Sequence, residues 1–135
     1  MNARSNLKIL YNQNKKSMKT FAFLTVNPLC EDYKKIGLTA MSCGRYNGYV
    51  GIIGEDNLSL DNRVIVHGGI TFDGKFGGAE EIIPLTEIPD DWWKYRIVGF
   101  DCAYFGDTEE TCPFEFVREE TINLQKQIEQ LIKLI

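Results

Sequence analysis

Phe116-Val117-Arg118-Glu119-Glu120-Thr121-Ile122-Asn123-Leu124-Gln125-Lys126-Gln127-Ile128-Glu129-Gln130-Leu131-Ile132-Lys133-Leu134-Ile135 closes the chain, and its period decides the fold. Val117, Thr121, Leu124, Ile128, Leu131 and Ile135 follow spacings of 4, 3, 4, 3 and 4, which is a helical seam. Glu119, Glu120, Lys126, Glu129 and Lys133 fall mostly off that seam. Pro113 suits the first turn, and Glu109, Glu110 and Glu115 suit the positive end of the helix dipole. An apolar seam needs a surface to cover it. Either the helix packs across its own sheet or it pairs with its copy in a homo-oligomer, since Ile132 and Leu134 widen the apolar face.

The sheet comes from runs of aromatic and β-branched residues upstream. Phe21 to Val26 reads as a strand closed by Asn27-Pro28, and Leu38 to Met41 and Tyr49 to Ile53 read as two more. Gly44 to Gly48 reads as a turn and Gly54 to Asn62 as a surface loop. A strand is expected from Arg63 through His67 towards Phe72, a turn at Asp73-Gly74, and a last strand over Arg96 to Cys102. Residues 1–20 form a polar, basic arm, and residues 21–135 one domain. The fold expected is a single α+β domain, a mainly antiparallel sheet with the long C-terminal amphipathic helix on one face.

With 135 residues, 44% hydrophobic and 25% charged, the chain can bury a core without staples. Its formal net charge of −4 argues against non-specific nucleic-acid binding, which draws its affinity from neutralised phosphates. Arg45, Arg63, Lys75, Lys94 and Arg96 are candidates for a local basic pocket. No apolar run approaches the roughly 20 residues that span a bilayer. The run from Phe21 to Val26 is too short for a secretory signal, so the expected setting is cytoplasmic, with reduced thiols. Cys30, Cys43, Cys102 and Cys112 form no C-x-x-C pair, which sets aside zinc fingers and thioredoxin-type redox motifs.

Two stretches carry chemistry. The only histidine, His67, precedes Gly68 and Gly69, and Asp101 and Asp107 sit in Gly99-Phe100-Asp101-Cys102-Ala103-Tyr104-Phe105-Gly106-Asp107. A carboxylate among Phe100, Cys102 and Ala103 needs a donor, and His67 is a candidate; Asp101 would then orient the imidazole. Several readings are open. His67, Asp101 and Asp107 belong to a metal site, although their spacing matches no standard zinc or calcium motif. His67 is a general acid or base set up by Asp101, the two being the catalytic candidates. The pair lines a pocket without turnover, with Trp92, Trp93, Tyr95 and Tyr104 as flat surfaces. Or a His–Asp bond simply ties two strands together. The ligand-binding set expected is His67, Gly68, Gly69, Asp101, Tyr104, Asp107, Trp93 and Arg45. Of Trp92 and Trp93, one is expected inside and the other at an edge.

In order along the chain stand Asn47-Gly48-Tyr49-Val50-Gly51, Val66-His67-Gly68-Gly69-Ile70-Thr71, Trp92-Trp93, Gly99-Phe100-Asp101-Cys102-Ala103, Gly106-Asp107 and Phe116-Val117-Arg118-Glu119-Glu120. Over roughly residues 43–135 this resembles a family of small uncharacterised phage and prophage proteins, whose pattern runs C-G-Y-V, V-H-G-G-L-T, W-W-x-G-F-D-C-A-H-x-G-D and Y-V-x-E-E. Asn47 stands where that pattern often has cysteine and Tyr104 where it often has histidine, and Trp93 is farther from Gly99. A site needing two histidines is lost here, so this departure from the pattern leads to the expectation of no metal and no cofactor. The resemblance implies a phage-linked setting and brings no established activity with it. By association with small phage proteins, the function expected is a non-enzymatic binder of a host protein or a small nucleotide-like ligand in the host-cell cytosol, with a counter-defence role. A metal-dependent or acid–base phosphoester hydrolase and a small structural or assembly protein are the alternatives.

Overall fold

The structure is a computed structural model, and it describes residues 18–27, 44–77, 81–103 and 106–135. Five strands form one antiparallel sheet: β1 (Thr20–Val26), β2 (Tyr46–Ile52), β3 (Phe72–Gly74), β4 (Ile83–Pro84) and β5 (Arg96–Phe100). Their order is β3-β5-β2-β1-β4. A 3-10 turn over Trp92–Lys94 precedes β5, and one helix, α1 (Phe114–Lys133), ends the chain. The α+β domain expected from the patterning is what forms. Among the described residues no helix is long and apolar enough to cross a membrane.

The pleat sorts the central strands into two faces. Phe23 of β1 lies opposite Tyr49 of β2, and Tyr49 opposite Gly99 of β5; Leu24, Gly48 and Phe100 form the neighbouring row. The face of Leu24, Val50, Ile52, Val98 and Phe100 packs against Val117, Leu124 and Ile128 of α1. Phe21, Phe23 and Ile97 on the other face are covered by Trp92, with Tyr49, Phe72 and Phe76 packed alongside. Both faces of the central strands are therefore buried, which explains why β1 reads as a continuous apolar run.

Gly48 sets how closely α1 approaches. A Cβ there would collide with Thr121 Oγ1 and stand 2.6 Å from the Phe100 ring. Thr121 is fully buried and turns its hydroxyl back to donate to the Val117 carbonyl at 2.6 Å, so no polar group is orphaned at the contact. The seam of α1 is thus covered by the chain's own sheet. Its last two apolar residues are not: Leu134 and Ile135 are 78% and 74% exposed, because the helix ends at Lys133, beyond the sheet.

The open side of β1 is closed by β4 and the residues that follow it. Leu85 and Thr86 donate their amides to the Ala22 carbonyl, and Ala22 donates its own to Thr86 Oγ1.

Four sequence expectations change. Residues 63–71 form no strand; Val66 is drawn into the helix-facing core with Leu58 and Leu60, and the segment runs along α1 instead. Asp73 and Gly74 lie within β3, where Arg96 makes a two-pronged contact to Asp73 at 2.9 and 2.8 Å. Gly48 belongs to β2, which starts at Tyr46, and β5 stops at Phe100. The strand expected over Leu38 to Met41 lies outside the described residues. Thr20 opens β1, and residues 1–17 of the basic arm are not described.

Replacing Leu124 or Ile128 by Ala should lower stability by about 2–5 kcal/mol, whereas Lys126→Ala should change it by less than about 0.5 kcal/mol. Because the seam is covered within one chain, the melting temperature should not fall on dilution. Chemical denaturation of the three variants and melting at several protein concentrations check both statements.

Candidate metal centre

The segment 65–69 is held along α1 by side chains one helical face apart. Gln127 accepts from the Ile65 amide and donates to the Ile65 carbonyl, both at 2.7 Å. Glu120 accepts from the His67 amide at 3.0 Å, and the Phe116 ring meets the imidazole edge-on with centroids 5.3 Å apart. Gly69 then donates to the Val66 carbonyl at 2.9 Å, closing a turn with Gly68 at φ 69°. A positive φ at the third residue of such a turn is what glycine supplies. Gly68 and Gly69 are exposed, and their role is this reversal.

The imidazole so placed meets Asp107, not Asp101. His67 Nε2 lies 2.9 and 3.0 Å from the two Asp107 carboxylate oxygens. Asp101 comes one residue after Phe100, and alternation turns it from the side that carries Phe100 and Cys102; no hydrogen bond or ion pair joins it to another described residue. The expected His67–Asp101 pair therefore does not form.

Cys102 and Cys112, both buried and unbridged, complete the group. Cys112 Sγ is 4.0 Å from His67 Nε2, and the donor atoms of His67, Cys102, Asp107 and Cys112 all lie within 4.8 Å of one another. The loop between the cysteines is braced by a reciprocal pair. The Thr108 amide donates to Thr111 Oγ1 at 2.8 Å and the Thr111 amide to Thr108 Oγ1 at 3.1 Å. The Cys112 amide donates to the Thr108 carbonyl at 2.9 Å, which aims its side chain back at His67 just before α1 begins. On the other side the Gly44 amide donates to the Cys102 carbonyl.

Burial pushes the Cys102 thiol far up, and neighbouring Cys112, Asp107 and Asp101 push in the same direction. Burial also raises the Cys112 thiol, partly opposed by hydrogen bonds from Cys102 and Thr111. Without a cation both thiols are held toward the protonated form. A divalent cation would displace those protons and balance the buried carboxylate. In a tetrahedral zinc site, bonds of about 2.0–2.3 Å put ligand atoms about 3.3–3.8 Å apart, so an ion would draw the wider-spaced donors together and part His67 Nε2 slightly from the Asp107 oxygens. Two sulfurs, an imidazole and a carboxylate are a donor set for zinc rather than for magnesium or calcium. No protein-family model, curated protein or solved structure matches this chain.

Of the other expected ligand residues, Trp93 lies away from His67. Trp93 is half-buried on the opposite face, edge-on to the buried Trp92 with centroids 6.1 Å apart. Arg45 is exposed and lies over the Tyr46 ring, 5.8 Å from its centroid. Tyr104, Cys30 and Cys43 are outside the described residues. Sequence reasoning missed Cys112 altogether as a partner of His67, along with the Thr108–Thr111 brace and the Glu120 and Gln127 clamps. The only available signal was a cysteine set beside Pro113 at a helix start, within reach of Asp107.

Gln127→Ala removes both hydrogen bonds to the Ile65 backbone and should cost about 0.5–1.5 kcal/mol for each. Amide exchange at Ile65 should speed up in that variant while exchange in the core of β2 does not. Unchanged protection at Ile65 would show that Gln127 does not hold this segment.

Proposed function

We propose that the protein is a small zinc-centred binding protein, with one ion held by His67, Cys102, Asp107 and Cys112. The observation that carries this is the convergence of those four donor atoms within 4.8 Å, on a histidine, an aspartate and two buried cysteines. Expecting no metal rested on the single histidine. The cluster supports a different count, since two thiolates and a carboxylate replace the missing imidazoles.

Four protein donors fill a tetrahedral shell, and a filled shell favours a structural ion over a catalytic one. The ion would tie the 102–112 loop to the His67 turn and to the start of α1, presenting that end of the domain as a rigid surface. A partner protein of the host cell is the kind of target the motif resemblance supports, in a phage or prophage setting with a counter-defence role. Reduced thiols are required for this ion, and a cytosolic setting supplies them.

One observation favours the metal-dependent hydrolase as second reading. The His67 side chain is 26% exposed, so water has an approach to the cluster if Asp107 leaves the ion.

Purified protein should carry about one zinc per chain, and Cys112→Ser and His67→Ala should each lose most of it. A chelator should lower the melting temperature of the parent but not of Cys112→Ser. Cobalt in place of zinc should give the absorption of a four-coordinate thiolate site. Steady hydrolysis of bis(p-nitrophenyl) phosphate, lost in His67→Ala, would favour the hydrolase. Metal-free protein that takes up no added zinc would remove the centre altogether.

A further inference from the structure

On the sheet face opposite α1 the aromatic layer leaves an opening. A cavity of about 260 Å³ is lined by Thr25, Asn47, Tyr49, Phe72, Lys75 and Phe76. None of the four cluster residues takes part in it.

Its walls are flat. The Tyr49 and Phe76 rings meet edge-on with centroids 4.8 Å apart, and Phe72 and Phe76 do the same at 5.0 Å. Such an arrangement offers both faces and edges to an inserted ring. Asn47 Oδ1 is the one buried side-chain oxygen or nitrogen among the described residues with no hydrogen-bond partner. A buried acceptor left unpaired is costly, so a donor is missing here. The soft terminal torsion of asparagine can turn that oxygen toward the cavity. Lys75 is exposed at the rim, and no ion pair joins it to another described residue.

A ligand that answers all three features is planar, carries an N–H on its ring edge, and bears an anionic arm. We infer that this cavity binds a nucleoside monophosphate, with the base laid against the Tyr49, Phe72 and Phe76 rings, a base N–H donated to Asn47 Oδ1, and the phosphate on Lys75. The volume suits one base with a short arm and is too small for a dinucleotide. The inference rests on the binding-protein reading above, but not on the ion.

Calorimetric titration of the full chain with UMP and AMP tests it, with uridine and ribose 5-phosphate as partial probes. At least one nucleotide should bind, and each partial probe should bind it at least about tenfold more weakly. Lys75→Gln should weaken nucleotide binding at least about tenfold, whereas Lys94→Gln should leave it unchanged. Asn47→Ala should weaken binding by a similar factor while its melting temperature holds or rises, because the orphaned acceptor is gone. Three results would overturn the assignment: no binding of either nucleotide up to about 10 mM, ribose 5-phosphate binding as well as the nucleotides, or parent-like binding by Lys75→Gln and Asn47→Ala. Zinc content measured on the same samples separates the two proposals. Zinc without nucleotide binding sinks only this cavity, and nucleotide binding without zinc sinks only the metal centre.

Discussion

The close seating of α1 over Gly48 is the contact on which the rest of the molecule depends. With no side chain at that point of β2, Thr121 and the Phe100 ring can occupy the space, and the helix drops onto the sheet. Its burial of Val117, Leu124 and Ile128 supplies much of the core. More than stability follows from this. The same helix carries Phe116, Glu120 and Gln127 along one edge, and these three hold the Ile65–His67 segment. Its start also places Cys112. The helix is therefore the ruler against which the histidine and one cysteine are both positioned.

That arrangement explains a choice between two aspartates. Asp101 and Asp107 are six positions apart and equally attractive as partners for a lone histidine. Pleat alternation decides against the first, because a carboxylate one residue beyond Phe100 faces away from the helix layer. The Thr108–Thr111 brace decides for the second by turning the loop back under His67. Buried Asp107 is then matched by the imidazole, and the two thiols close around them. Four donor atoms of metal-binding type within 4.8 Å of one another, three of them on buried residues, are the physical argument for a cation among them.

Elements that carry their own period were legible in the sequence. The α1 seam, the β1 run and the domain class follow from spacing alone, since burial of one helix stripe or of a central strand imposes it directly. The stretch from Arg63 to Phe72 misled for the same reason. Val64, Ile65 and Val66 are β-branched, but only Val66 is buried, and Ile65 is 87% exposed with its backbone bonded to Gln127. Tertiary hydrogen bonds to a helix 62 residues away replaced the ladder that propensity suggested. The site was half legible. His67 and Asp107 stand out in the sequence, but Cys102 and Cys112 reach them only through loop geometry that no short motif encodes.

The sheet's borders bear on how the protein keeps its own company. Its outermost strands are three residues and two residues long, and Pro84 in the shorter one has no amide hydrogen to offer. Beside it, the Ala22 backbone is already engaged by Leu85 and Thr86. A foreign strand arriving at either of these borders finds almost no free ladder to extend. Such margins resist the lateral growth that turns crowded β-proteins into fibrils. They also leave little free backbone at these borders for another chain to pair with.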